Sequence, residues 1–138
     1  MFDNLVEVEW PKDEPRKMRL LKTLTFTDGA GKVWEAPAGA KIDGASIPKL
    51  LWSLIGSPFV GKYRRATVFH DIYCQTRSEP HRKVHDMFLE AMLADGVSVS
   101  KAKMMHDAVI NYGPRWDKDG NLIDKDDIYQ DEDDDLYL

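Results

Sequence analysis

The chain has little cysteine: Cys74 is the only one among 138 residues. That excludes an intrachain disulfide framework and a zinc site built from cysteine alone. Long apolar runs are missing as well. The stretch around Leu50–Ile55 is interrupted by Ser53, and nothing approaches the ~18 residues of a membrane helix. The opening Met1-Phe2-Asp3-Asn4 has no basic region leading into an apolar one, so no secretory signal is expected. Basic excess is absent too, with a net charge of −5. Specific nucleic-acid binding is therefore not expected, and a soluble protein of a reducing compartment is.

What is present is a core. Apolar residues make up 43% of the chain, enough for one domain and too short a chain for two. The charge is unevenly spread. Residues 117–138 hold ten acids against two lysines, a charge of −8, whereas residues 1–116 carry +3. This divides the chain into a domain over 1–116 and an acidic C-terminal segment over 117–138.

The N-terminal third reads as β. Leu5 to Trp10 alternates with period two, Met18 to Thr27 is a mixed run, and Asp28-Gly29-Ala30-Gly31 marks a turn before Lys32 to Ala36. These are strand and hairpin signals. After residue 43 the period becomes helical. One helix is expected from Ser46, as N-cap, to Gly56. Three more are expected over about 62–77, 80–95 and 98–112, bounded by Ser78-Glu79-Pro80, Gly96 and Gly113-Pro114. The expected fold is α+β, a small antiparallel β element packed on a bundle of three to four helices.

All four histidines lie between residues 70 and 106, and three precede an aspartate: His70-Asp71, His85-Asp86 and His106-Asp107. A helix hairpin turning at Ser78 sets His70 level with Asp86. A carboxylate on one imidazole nitrogen leaves the other free to take a proton, so His70 and Asp86 form a candidate general-base pair. Asp71 points elsewhere on its helix, where a hard cation would find it. Asp43-Gly44-Ala45-Ser46 is a tight loop whose carboxylate and carbonyls suit the same role.

Other patterns have ordinary alternatives. His81 and His85 stand at the i, i+4 spacing of zinc sites, yet Arg82 replaces a zinc protease's glutamate, and a solvent-facing pair is the commoner case. A phosphohydrolase set of His70, His85, Asp86 and Asp107 would leave Asp71 unused. Cys74 shares a helix face with His70, as a nucleophile would, though a lone intracellular cysteine is more often a small buried apolar group. Met87, Met92, Met104 and Met105 read as core filling. Lys62-Tyr63-Arg64-Arg65 reads as a solvated helix start. The segment from Asp117 fails as a calcium loop, because its sixth and twelfth positions are Leu122 and Ile128. A β-turn at Asp119-Gly120 is expected there.

Asp43-Gly44-Ala45-Ser46-Ile47-Pro48, His70-Asp71, Arg82…Asp86-Met87-Phe88…Ala91-Met92 and Ala108-Val109…Gly113 together resemble domain of unknown function 1353. This family is common in bacteriophages and prophages, and the likeness runs from about Lys32 to Gly113. It implies a phage setting: the host cytoplasm or the virion, with other phage proteins as partners through residues 117–138. Beneath it lies a second resemblance. His-Asp on one helix and Asp-x-Phe on the next is similar to the phospholipases A2. That similarity implies a phospholipase A2-like helix hairpin and calcium-assisted hydrolysis of a phospholipid or other acyl ester. His70 would be the base and Asp86 its orienting partner, with calcium on Asp71 and the loop of Asp43 and Gly44. Cys74 stands where those enzymes place a tyrosine. Without catalysis, the same chain would be a virion structural or assembly protein.

Overall fold

The computed structural model describes residues 1–9, 17–44, 46–48, 51–53 and 61–123. Among the described residues, five short strands precede three long helices. They are β1 (Val8–Glu9), β2 (Met18–Leu20), β3 (Leu24–Thr27), β4 (Val33–Ala36) and β5 (Lys41–Ile42). A 3-10 turn at Gly61–Tyr63 then leads into α1 (Arg64–Thr76), α2 (His81–Ala94) and α3 (Val99–Tyr112). The α+β expectation is met. The β element, expected as one unit, is two antiparallel sheets of order β1-β2-β5 and β3-β4.

The β3–β4 hairpin follows from its alternation. Leu24 and Phe26, with Trp34 and Ala36, point inward and are buried, while threonines fill the outward positions of β3. Phe26 lies opposite Trp34, an aromatic cross-strand pair. Asp28 sets the turn, since its carboxylate accepts from the amides of Ala30 and Lys32 at 2.9 Å each and from Trp34 Nε1 at 3.0 Å. The run from Leu5 to Trp10 contributes a described strand only at Val8–Glu9. Of the helix expected from Ser46 to Gly56, Leu51–Ser53 are helical, and residues 49–50 and 54–60 lie outside the described residues.

The helix boundaries fall within two residues of those expected. Arg77 closes α1 in the left-handed conformation, φ 53°. Ser98 caps α3, its hydroxyl accepting from the Lys101 amide at 3.4 Å. Gly113 ends α3 where any side chain would force a shift, because a Cβ there would stand 2.4 Å from the Val109 carbonyl oxygen.

Helix α1 packs on β4 and β5 and on α2, and α2 packs on α3. Lying between two layers, α1 is buried from Ala66 through Ile72 and again at Cys74. This placement carries polar side chains, His70 and Asp71 among them, into the interior. Met87, Met92 and Met105 fill the core as expected, but Met104 is exposed. Arg65, expected in a solvated helix start, instead pairs with Asp95 and stacks on Phe2, 4.3 Å from the ring centroid. After α3 the chain returns across the α1–α2 turn. Trp116 is fully buried and donates to the Glu79 carbonyl at 2.8 Å. The turn expected at Asp119-Gly120 is present, closed by Asp117 N to Asn121 O at 2.9 Å. Arg77 Nη1 holds the Gly120 carbonyl at 3.0 Å. Residues 124–138, most of the acidic segment, lie outside the described residues.

Candidate functional site

His70 is fully buried on α1, and the structure does not bring it to Asp86. Its Nε2 meets His85 Nδ1 at 2.8 Å, and its Nδ1 meets Ser46 Oγ at 3.0 Å. The expected hairpin register was off by one residue. One residue turns a helix side chain by ~100°, so His85 points inward where Asp86 points out. Asp86 accepts from His106 Nε2 at 2.8 Å on the surface, its side chain 67% exposed. Asp107 is exposed too, away from the buried His70 and His85. His81 and His85, for which solvent was the commoner case, are both buried. Trp116 stands edge-on to both rings.

The far nitrogen of His85 fixes the polarity of the chain. His85 Nε2 lies 3.0 Å from the Pro114 carbonyl oxygen, which only accepts. Burial lowers the His85 pKa to about 4, so the ring is neutral near pH 7. Nε2 therefore carries the hydrogen and Nδ1 a lone pair. His70 must then donate from Nε2, and its Nδ1 is the acceptor. Burial, with His85 adding to it, holds the His70 pKa well below the ordinary value, so His70 is neutral too. Ser46 Oγ can then donate to His70 Nδ1, and its one hydrogen is shared with the Asp71 carboxylate, which the hydroxyl also meets. The result is a directed line: Ser46 hydroxyl to His70 to His85 to the Pro114 carbonyl.

Ser46, expected as a helix cap, thus belongs to the site. Asp71 holds it there. One Asp71 oxygen accepts from the Ser46 amide at 3.4 Å, and the other from the Asp43 amide at 3.0 Å and from Gln75 Nε2 at 2.9 Å. Gly44 between them takes φ 73°, which glycine adopts without strain. Desolvation raises the Asp71 pKa against the lowering by these amides. The structure therefore does bring Asp71 to the loop of Asp43 and Gly44. It does so through N–H groups, whereas calcium takes oxygen ligands. The Asp71 oxygens are thus engaged by N–H donors.

Cys74, one turn along α1 from His70, places Sγ 3.7 Å from His70 Nε2 and 3.9 Å from Nδ1. Burial, then the nearby Asp71, raises its pKa well above the ordinary value. The thiol is protonated, which argues against it as a nucleophile. Ser46, Asp71 and Cys74 line a cleft of about 400 Å³, along with Lys17, Lys41 and Arg77. A larger hollow of about 610 Å³ beside Met1, Phe2 and Glu90 holds no histidine or cysteine.

Fold and site define an α+β protein with a buried serine–histidine–histidine line beside a cleft. The chain belongs to the family described as Protein of unknown function (DUF1353), whose model matches residues 18–109. It is similar to the uncharacterized protein y4jT of Sinorhizobium fredii, 41% identical over 113 residues, covering 81% of this chain and 34% of that one. It is similar also to y4iH of the same organism, 39% identical over 109 residues, covering 79% of this chain and 45% of the other. The chain thus spans less than half the length of these relatives. No solved structure matches it. Among the described residues, no helix is long and apolar enough to cross a membrane.

Sequence reasoning missed Ser46 as a partner of His70, and set His85 beside His70 only in the phosphohydrolase alternative. The signals were there, in the Asp43–Pro48 hexapeptide and in the i, i+4 pair of His81 and His85.

Proposed function

We propose that the protein hydrolyses acyl esters, with His70 as general base and the Ser46 hydroxyl as the group it deprotonates. The observation that carries this is the polarity of the line, which leaves the His70 Nδ1 lone pair on the Ser46 hydroxyl, 3.0 Å away. Ser46 also lines the cleft. Ser46 Oγ attacks the ester carbonyl as its proton passes to His70 Nδ1. The same proton then goes to the leaving alkoxide. Water, deprotonated in turn by Nδ1, attacks the acyl-serine, and as the acid leaves the proton returns from Nδ1 to Ser46 Oγ. His85 is a positioning residue, which keeps Nε2 of His70 in the donor role and so keeps Nδ1 basic.

Hydrolysis of p-nitrophenyl esters of graded acyl length tests the reading. Ser46→Ala and His70→Gln should each lower kcat/KM by roughly 10²–10⁴-fold. Full activity in His70→Gln would remove the base. Loss in His70→Gln with full activity in Ser46→Ala would make water the nucleophile.

A further inference from the structure

We propose that His70 Nε2, His85 Nδ1 and Cys74 Sγ form a binding site for a divalent cation of the zinc class. The three donor atoms all lie within 4.8 Å of one another, and all three residues are buried. They come from two helices already packed together, so no loop has to be recruited. Tetrahedral zinc with nitrogen ligands near 2.05 Å and sulfur near 2.3 Å needs about 3.4 Å between nitrogens and about 3.6 Å from nitrogen to sulfur. The present Sγ to Nε2 distance is 3.7 Å, already close. The imidazole nitrogens are 2.8 Å apart, so they must part by roughly half an ångström.

The chemistry of the set selects the ion. Two imidazoles and a thiolate suit zinc, cobalt(II) or copper, and not calcium or magnesium. Cys74 lines the cleft beside Ser46, which gives the ion a path inward and leaves its fourth position to water or substrate. On binding, the thiol releases its proton to solvent. The hydrogen of His70 moves from Nε2 to Nδ1, and the metal takes its place on Nε2. Resting on the hydrolytic reading, this has one consequence: Nδ1 then donates to Ser46 and is no longer a base.

The test is cobalt(II) titrated into the full chain stripped with chelator. The expected spectrum has a sulfur-to-cobalt charge-transfer band in the near ultraviolet and intense visible bands of four-coordinate cobalt. Both should saturate at equimolar metal, be displaced by zinc and be untouched by calcium. Cys74→Ser should lose the charge-transfer band, and His85→Gln should lose binding. His106→Ala, at the exposed pair with Asp86, should keep both. A native chain without the charge-transfer band overturns the site, whatever the variants do, and so does loss of the visible bands in His106→Ala. The readout is spectroscopic, so its failure leaves the hydrolytic reading standing. Loss of that reading would in turn leave the metal site intact.

Discussion

A carbonyl oxygen cannot donate a hydrogen bond, and at the scale of single residues that fact orders the whole site. Pro114 sets the hydrogen on His85, His85 sets it on His70, and His70 turns its lone pair to Ser46. The line works only while both imidazoles are neutral, which their burial secures. The same burial couples them to folding. An unfolded histidine titrates near pH 6.5, whereas His85 in the fold titrates at about 4, and His70 is shifted the same way. Between those values the unfolded chain binds more protons, so stability rises with pH there. It is complete above about pH 6.5 and lost as pH falls toward 4. For His85 alone the loss is on the order of 3 kcal/mol. Asp71, whose pKa is raised, acts in the opposite sense, costing stability once pH exceeds its ordinary value. Urea unfolding across this range, for the native chain and His85→Gln, should show the acid loss shrinking in the variant. An equal loss in both would contradict a buried neutral His85.

At the scale of elements, the sequence was most legible where periodicity and punctuation agreed. Gly96, Gly113 and Ser98 bound α2 and α3 within two residues of expectation, and Asp28-Gly29-Ala30-Gly31 marked the β3–β4 turn. The register between α1 and α2 was not legible. It depends on how Arg77 and Pro80 shape the connection, and a shift of one residue exchanges Asp86 for His85. A sum of residue numbers carries that much error, and rotation by ~100° per residue makes the error decisive. The end of α3 belongs to the site as well, because the Pro114 carbonyl holds His85. Gly113→Ala should therefore act twice. Its Cβ meets the Val109 carbonyl oxygen at 2.4 Å, and relief of that clash should cost about 1–3 kcal/mol. The displaced Pro114 should also lower ester hydrolysis. Urea denaturation and p-nitrophenyl ester assays check the two halves. A variant of native stability would show that the backbone yields there without cost.

For the whole molecule, the first residues past the change in charge stay tied to the domain. Composition changes at residue 117, yet Trp116 is fully buried and the turn after it is tied to α1 by Arg77. Trp116→Ala should cost roughly 3–5 kcal/mol and open the pocket around His81 and His85, as read by urea unfolding. A loss under 1 kcal/mol would mean that the returning segment is only laid on the surface. The division of the β element into two sheets was not legible either, since short strands leave no periodic signal of which neighbour they pair with. The clustering of the histidines was legible, because all four lie in residues 70–106. The partners within that cluster were not, since they depend on tertiary register and on a loop serine that also reads as a cap.

The central claim is that His70 activates Ser46, and covalent labelling reads it directly. The native chain treated with a fluorophosphonate should gain one adduct, mapped by mass spectrometry to Ser46, and His70→Gln should label far more slowly. No adduct on Ser46, or equal labelling with and without the imidazole, would contradict it.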